Sequence, residues 1–278
     1  MASSGNKMKA GGTARMVAAL AKALREQMGL TQEELGQLIG YTASAISAME
    51  TCAQPASDKM LIALEKVLGN GMGVFEKARK WMLIEKYPVR FQGVAELEAG
   101  AVTVSSYDTF VIAGLFQTEA YAQALIGGGF PSVSDQKREE LVEARLARRA
   151  LFDRTPTSMI ELILEEGVLR RPFGTLEVMR EQMRSLAEDA QRENVCVQIL
   201  PTDRGLRGSH AGDRGSMKLL VTEDHDHVVY LEIEDQGILI SDPPEVAKLA
   251  HRYAKIRSQA LSPDDSLSLI KGLAGEEP

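Results

Sequence analysis

The segment from Leu30 to Glu50 constrains the fold more than any other part of the sequence, because its pattern predicts two short helices joined by a tight turn. The hydroxyl of Thr31 can accept a hydrogen bond from an unpaired N–H of the first helix, and Glu34 three positions later completes a capping box. Gly40 predicts the end of that helix, since glycine readily adopts the left-handed conformation found there. Thr42 can then cap the second helix.

Three further helices are predicted around this pair. One begins at residue 13, carries apolar side chains at helical spacing and ends at Gly29; the others cover about residues 58–68 and 73–86. Leu35, Ile46 and Met49 can pack the pair against the first helix. This packing directs the N-terminal half of the second paired helix outward, where it can enter the major groove of duplex DNA.

After Pro88 the pattern changes to alternating strands and helices. Strand 158–164, helix 176–192 and strand 195–200 predict a right-handed crossover with parallel strands, and residues 217–221 and 227–233 predict a hairpin. The other predicted elements are strand 101–105 and helices 117–126, 134–152, 243–258 and 263–273. The predicted fold class is therefore α followed by α+β: a disordered arm over residues 1–12, a five-helix helix-turn-helix domain over 13–86, and a mixed-sheet α+β domain over 90–278.

Composition excludes several classes of protein. The chain is 44% hydrophobic and 26% charged, as is typical of a soluble globular protein. It contains no apolar run long enough for a membrane span, and its first residues lack the apolar stretch of a signal peptide. Its two cysteines are far apart and form no CxxC motif, which indicates neither a disulfide framework nor a zinc site. We expect a cytoplasmic, nucleoid-associated protein without a cofactor and without a membrane partner.

Charge is unevenly distributed along the chain, whose net charge is −7. Residues 1–80 contain ten Lys and Arg against seven Asp and Glu, a balance of +3, and the remainder carries −10. A basic head could meet phosphates while an acidic body is held away from them. Ordinary variation in composition explains the same numbers, so both interpretations stay open at this point.

The start Leu30-Thr31-Gln32-Glu33-Glu34-Leu35 and the end Ile46-Ser47-Ala48-Met49-Glu50 resemble the helix-turn-helix of the phage-repressor-like, XRE-type class. A plain helical bundle is the alternative. The resemblance implies binding to double-stranded DNA. By position, Gln32 at a helix N-terminus and Lys59 at the start of the fourth helix are expected to contact phosphate. The exposed face of the second paired helix is expected to meet the bases through Thr42, Ala43, Ser44, Ser47 and Ala48.

That reading face contains no Arg, Lys, Asn or Gln, the side chains that make bidentate contacts with bases. Discrimination by a single half-site should therefore be modest, and a homodimer and DNA shape would have to supply the rest. Glu50 is expected to hold the turn after this helix rather than touch DNA. The class usually has glycine where this chain has Cys52, so either the turn differs locally or Cys52 adopts a costly conformation.

Beyond this motif, residues 110–125, 165–172, 197–201 and 259–266 resemble the WhiJ-like regulators of actinobacteria, with Ala113 and Phe116 as mild departures. The resemblance spans nearly the whole chain. It implies a regulator of development or antibiotic production whose C-terminal domain has no assigned function. It also implies a small acidic partner protein encoded nearby, in an arrangement likened to antitoxin and toxin.

Four other groups of residues are candidate sites. Arg145, Arg148 and Arg149 line one side of the predicted helix 134–152. Such residues usually form a solvated face, but they could bind an acidic partner. His225 and His227 could bind a metal or lie at a solvated hairpin tip. The Gly-rich loop 205–215 could hold phosphate or cover a pocket. Glu165 and Glu166 form a poor acid–base pair, because neighbouring strand residues point to opposite faces.

Three functions follow from these observations. The first is a dimeric, sequence-specific DNA-binding regulator, repressor-like, whose C-terminal domain senses a small-molecule ligand or a partner protein. The second is an antitoxin-like interaction module that neutralises a small partner and regulates its own operon. The third, a DNA-targeted enzyme, has no catalytic triad, metal cluster or cofactor loop to support it. We therefore predict a regulator that is not an enzyme.

Overall fold

The computed structural model describes residues 12–85, 89–233 and 236–275. The chain divides into two units, residues 1–86 and 87–278. The first is helical and the second combines helices with a six-stranded mixed sheet, which confirms the predicted fold class. Within the described residues, no helix combines the length and apolar character needed to cross a membrane.

Within residues 12–85 of the first unit, the structure has five helices, as the sequence predicts. Side-chain oxygens of Thr31, Thr42 and Ser57 cap three of them by accepting a backbone N–H at each N-terminus. Leu35, Ile46 and other apolar side chains from all five helices form one core. The helices are α1 (Gly12–Gln27), α2 (Gln32–Ile39), α3 (Ala43–Glu50), α4 (Asp58–Leu68) and α5 (Val74–Ile84).

The predicted arm, residues 1–12, lies outside the described residues except at its end. Gly12 begins α1 rather than belonging to the arm. The backbone N–H and hydroxyl of Thr13 both donate to Glu85 Oε1, at 2.9 and 2.7 Å, so the first turn of α1 is tied to the residue that follows α5.

The second unit is organised around one sheet in the order β3-β2-β1-β4-β5-β6. Strands β1, β2 and β3 are parallel, as predicted for the second and third, and the remaining neighbours are antiparallel. The predicted hairpin is present as β4 and β5 with the predicted bounds. The strands are β1 (Thr103–Asp108), β2 (Met159–Glu165), β3 (Val195–Leu200), β4 (Met217–Val221), β5 (His227–Ile233) and β6 (Gln236–Ile240).

Each face of this sheet carries its own core. One face presents Val104 of β1 to the larger apolar cluster, and the opposite face presents Tyr107 to a smaller cluster that includes Tyr253 and Ile256. Alternation along β1 thus sends even-numbered residues to the first face and odd-numbered residues to the second. The helices are α6 (Val89–Gly100), α7 (Glu119–Gly127), α8 (Asp135–Ala147), α9 (Glu166–Arg170), α10 (Leu176–Asp189), α11 (Pro243–Gln259) and α12 (Pro263–Ala274).

Five elements differ from the prediction, one of them the short helix α9, which was not predicted. Helix 134–152 was predicted too long, because α8 ends at Ala147 and residues 148–153 form a 3-10 helix. Strand β1 covers 103–108 rather than 101–105, so it includes two polar positions that the prediction left in a loop. Helix α6 and strand β6 were not predicted. Glycines at positions 93 and 100 weaken the helical signal of α6, whereas β6 is a short apolar run that begins Gln236-Gly237.

Candidate nucleic-acid interface

The turn between α2 and α3 has the geometry that the sequence predicts. Thr31 and Glu34 form a complete capping box, and Gly40 closes α2 in the left-handed conformation with φ 77°. A Cβ atom at Gly36 would lie 2.5 Å from the carbonyl oxygen of Tyr41, closer than real Cβ contacts allow. Only glycine at this position lets the turn fold back so closely on α2.

The start of α3 is exposed, and this is where the predicted base contacts lie. Thr42, Ala43 and Ser44 are exposed, whereas Ser47 and Ala48, one turn further along, are half-buried. The Thr42 hydroxyl accepts from the backbone N–H of Ala45 and lies 3.1 Å from the Ser44 hydroxyl. The structure therefore places all five predicted residues on α3 or its cap, with the first three most accessible.

The phosphate prediction assumes that the side-chain amide of Gln32 is free, but in the structure this amide is already hydrogen-bonded. Its Nε2 donates to Glu50 Oε2 at 2.9 Å. The same carboxylate accepts from Arg25 Nε at 2.6 Å and from Arg25 Nη2 at 3.0 Å. Glu50 was expected to hold the turn after α3, and this is corrected: it joins the end of α3 to α1 and to the start of α2. If Gln32 contacts a DNA phosphate, the donors must therefore be its second amide hydrogen and the backbone N–H groups at the start of α2.

Electrostatics favour the charged forms of this cluster. Burial alone would raise the pKa of Glu50, but hydrogen bonds from Arg25 and Gln32 outweigh it and hold the pKa below its ordinary value. The hydrogen bond to Glu50 raises the pKa of Arg25. Arg25 also donates to the carbonyl oxygen of Leu30 at 2.7 Å, which fixes the chain just before α2. The position of α3 against α1 is therefore set by a buried ion pair as well as by apolar packing.

Cys52 resolves the two alternatives that its sequence position left open. Its φ is 56°, in the left-handed region that glycine favours, so Cys52 adopts the costly conformation. Its thiol lies 3.9 Å from the carbonyl oxygen of Ala14. The turn after α3 thus contacts α1 directly.

Lys59 lies in the first turn of α4 with an exposed side chain. The hydroxyls of Tyr41 and Ser57 are 3.4 Å apart, which places the cap of α4 beside the turn that precedes α3. Arg79 binds Asp58 through two hydrogen bonds of 2.6 and 2.9 Å and partly offsets the charge next to Lys59. The N-terminus of α4 and the start of α3 therefore belong to one side of this unit.

The three arginines predicted to bind an acidic partner are not arranged on one outward face. Arg145 donates to Gln117 Oε1 at 2.9 Å, Arg148 donates twice to Glu98, and Arg149 donates twice to Asp189. The physical reason is the change to a 3-10 helix at residue 148, which turns the last two side chains toward buried carboxylates. The expectation of a shared arginine surface is therefore corrected.

The other candidate sites take different forms. Glu165 accepts from the Tyr107 hydroxyl and lies 3.2 Å from His210, whereas Glu166 accepts from Arg170, so the two glutamates diverge. The Gly-rich loop packs on the Tyr107 side of the sheet. Among the described residues, no three His, Cys, Asp or Glu side chains come together as a metal site would require.

Sequence reasoning missed Arg25 as the partner of Glu50. A basic residue in the last turn of an otherwise apolar helix face is the signal that could have found it. It also missed Glu98 and Lys218 of the second unit, whose contact joins residues far apart in the chain, and Asp108, which lies beyond the end of the predicted strand.

Comparisons with known proteins agree with this geometry. A family model described as helix-turn-helix matches residues 22–75, so the first unit is a DNA-binding helix-turn-helix of the kind found in transcription regulators. No curated protein and no solved structure shows significant similarity to the chain. A second model matches residues 91–272, more than half of the chain, and the protein therefore belongs to the family defined by this domain of unknown function (DUF5753).

Proposed function

We propose that this protein is a sequence-specific, homodimeric, repressor-like transcription regulator whose second unit senses a small ligand or a partner protein. The observation that carries the proposal is the exposed start of α3, held against α1 and α2 by Arg25 and Glu50. The stretches that resemble WhiJ-like regulators favour a role in actinobacterial development, on the bacterial nucleoid. We take residues 13–86 as the DNA-binding domain and 90–278 as the sensing and dimerisation domain.

The proposed DNA contacts divide into two kinds. Ser44 and Ser47 can exchange hydrogen bonds with base edges, Ala43 and Ala48 can contact a thymine methyl group, and Thr42 caps the helix that carries them. Gln32 and Lys59, at the N-termini of α2 and α4, are proposed to bind phosphate, where helix dipoles also favour an anion.

The proposed dimer has a candidate surface on the sheet. Strand β6 is the outer strand at one edge of the described sheet, and an edge strand presents backbone groups that can pair with another chain. Ile238 and Leu239 on this strand are 40% and 46% exposed. A second copy of the chain that pairs along β6 would cover these side chains.

A small acidic partner protein is the second candidate for the same edge. The antitoxin-like function depends on a surface for such a partner, and the internal ion pairs of Arg148 and Arg149 leave β6 as the better candidate. Co-purification with the product of the neighbouring gene tests this alternative, and mass measurement of the purified chain alone tests the homodimer. Ile238→Lys should weaken whichever contact is formed, whereas an exposed control such as Glu188→Gln should not.

Titration of the full chain with duplex DNA tests the main proposal. An operator is first selected from a random duplex library and then compared with a scrambled duplex at several salt concentrations. Binding should weaken steeply with salt, because each neutralised phosphate releases counterions. Lys59→Gln should reduce affinity for both duplexes and lower the salt slope by about one, whereas Lys77→Gln on α5, also exposed, should change neither. Failure to select any preferred duplex would contradict the proposal.

A further inference from the structure

A cavity of about 240 Å³ lies in the second unit on the even-numbered face of β1. Ser106 and Asp108 of β1 and Lys218 of β4 lie along its wall, together with the aromatic rings of Phe91 and Tyr230. A cavity of about 150 Å³ with apolar walls holds benzene. The larger volume here therefore suits a ligand of one or two small rings that carry polar substituents.

The charges beside the cavity balance one another. Glu98 is 3% exposed and accepts two hydrogen bonds from Arg148, at 2.6 and 2.9 Å, and a third from the ammonium group of Lys218. Two cations thus share one carboxylate, and Asp108 is the second carboxylate that offsets them. Arg145 and Glu232 add one further charge of each sign to the wall. A charged ligand would disturb this balance, so a neutral ligand fits better.

Asp108 differs from Glu98 in its partners. No hydrogen bond or ion pair within the described part of the chain engages its carboxylate. Its pKa is lowered by the more distant charges of Lys218 and Arg148 and raised by burial and by the carboxylates of Glu232 and Glu98. Burial raises its pKa to about 6 despite those cations, so it is mostly ionised at neutral pH. A partly buried carboxylate that faces a cavity and accepts no hydrogen bond from the protein can accept hydrogen bonds from a ligand.

Ser106 lies two positions before Asp108, and the two side chains point to the same face of β1. In the register of the sheet Ser106 is opposite Lys218, which is in turn opposite Tyr230. A hydroxyl, an ammonium group and a phenol ring therefore form a row across three strands next to Asp108. In such a row, the polar groups can contact the edge of a planar ring while the aromatic ring contacts its face.

We propose that this cavity binds a neutral, planar nitrogen heterocycle of one or two rings, whose adjacent N–H groups donate to the Asp108 carboxylate. A carboxylate with two free oxygens can accept hydrogen bonds from two adjacent donors at once. The rings of Phe91 and Tyr230, whose centroids are 6.0 Å apart, form an apolar part of the cavity wall. Arg145, which donates to Gln117, also lines the cavity, and its positive charge favours a carbonyl group on the same ligand. This inference rests on the proposed role of the second unit as a ligand sensor.

Calorimetric titration of the full chain tests the ligand class. The probe is isocytosine, a neutral ring with adjacent ring and amino N–H donors and a carbonyl acceptor. The comparison probes are its analogue without the amino group, benzylamine as a cation and benzoate as an anion. We expect isocytosine to bind with millimolar affinity or better and to bind more tightly than the other three. Tighter binding of benzylamine or benzoate, or no binding of isocytosine, would overturn the proposal.

Two variants locate the binding site. Asp108→Asn should weaken isocytosine binding about 10- to 100-fold, the loss expected when hydrogen bonds to a charged group are removed. Ser106→Ala should weaken it less, and Glu188→Gln on the exposed side of α10 should leave it unchanged. Equal affinity of the wild type and Asp108→Asn would overturn the assignment of Asp108.

Duplex binding measured on the same samples separates this inference from the proposed function. Loss of heterocycle binding in a protein that still prefers its operator contradicts only the ligand class. A protein that binds isocytosine but shows no preference among duplexes contradicts the proposed regulator and leaves the cavity assignment intact.

Discussion

Glu50 in the first unit and Glu98 in the second occupy nearly the same kind of position. Their side chains are 2% and 3% exposed, and each accepts two hydrogen bonds from an arginine. The third donor differs, because Glu50 accepts from the neutral amide of Gln32 and Glu98 accepts from the ammonium group of Lys218. Arg25 and Glu50 balance each other as a pair, and Arg25 Nη2 also lies 3.5 Å from Oε1 of the exposed Glu26, whereas Glu98 with Arg148 and Lys218 carries one excess positive charge.

This difference separates a structural cluster from one that lies beside the proposed ligand cavity. The balanced pair of Arg25 and Glu50 needs no further charge and fixes the position of α3. The excess charge around Glu98 is offset by Asp108, which keeps its own oxygens available to the cavity. Five experiments would break or sharpen this comparison.

Glu98→Gln should have the largest effect, a loss of about 3–5 kcal/mol of unfolding free energy in the second unit. The neutral amide would leave Arg148 and Lys218 buried without their shared carboxylate. Denaturant-dependent hydrogen exchange of the sheet amides measures the loss, with Glu188→Gln as the exposed control. A loss below about 1 kcal/mol would show that the buried cations do not depend on Glu98.

Glu50→Gln should cost less, about 2–3 kcal/mol, because only Arg25 loses a charged partner and it keeps its hydrogen bond to Leu30. Trp81 on α5 is the single tryptophan of the chain, so its fluorescence follows unfolding of the first unit. The pKa of Glu50 is lowered by folding, so its contribution is present above the unfolded pKa of about 4.3 and is lost as pH falls through the folded pKa. The deficit of the variant should shrink accordingly in acid, and a constant deficit would argue against the ion pair.

Asp108→Asn should act in the opposite direction and stabilise the second unit by about 1–2 kcal/mol at pH 7. Burial raises the pKa of Asp108 to about 6, so stability is lost as pH rises from the unfolded pKa of about 3.9 to about 6, and the full cost is present above that value. Below the unfolded pKa of about 3.9 both states are protonated, and the gain should vanish there. Hydrogen exchange at pH 7 and below the unfolded pKa measures the change in unfolding free energy. A variant less stable than the wild type at pH 7 would mean that the attraction of Asp108 to Lys218 and Arg148 outweighs the cost of burying its charge.

Ser44→Ala and Ser47→Ala should each reduce preference for operator over scrambled duplex by about 1 kcal/mol, the low end for a base contact. Gln32→Ala should instead weaken binding to both duplexes alike, and it should also lower stability slightly because Glu50 loses a donor. Side-by-side titration on both duplexes gives the ratio of the affinity for operator to the affinity for scrambled duplex. If neither serine variant changes it, DNA shape rather than hydroxyl contacts carries the specificity.

Cys52→Gly should have the smallest effect, a stabilisation of about 0.5 kcal/mol in the first unit. Glycine relieves a left-handed conformation that costs an L-residue about 1–2 kcal/mol, but it also gains freedom in the unfolded chain. Trp81 fluorescence during denaturation measures the gain. Cys52→Ser, which keeps the strain, is the control, and equal stability of the two variants would show that the strain is not relieved.

The first unit could be predicted almost completely because its signals are local. Thr31 and Glu34 are three residues apart, and Gly36 and Gly40 mark a turn within the same short segment. The Arg25–Glu50 contact joins residues 25 positions apart and left no such local pattern. Helices and caps were therefore predicted, and the ion pair that holds them was not.

The second unit shows where sequence reasoning stops. Lys218 and Glu98 are 120 positions apart, so only the folded sheet brings them together. Asp108 was missed for another reason: the predicted strand ended at residue 105, and the alternation that places Asp108 on the cavity face was not extended to it. Arg148 and Arg149 were assigned to a regular helix, whereas a 3-10 helix has three residues per turn and points them elsewhere.

The small side chains of α3 have a consequence for the entropy of binding. Alanine has no rotamers to lose on contact with DNA, and long basic side chains lose about 1.5–2 kcal/mol each when they are immobilised. The Glu50 cluster and the Thr42 cap have already ordered the α3 backbone before any duplex arrives. In the proposed DNA complex, the surface of Thr42, Ala43, Ser44, Ser47 and Ala48 would therefore lose little side-chain entropy, and weak individual contacts would still add up to selective binding.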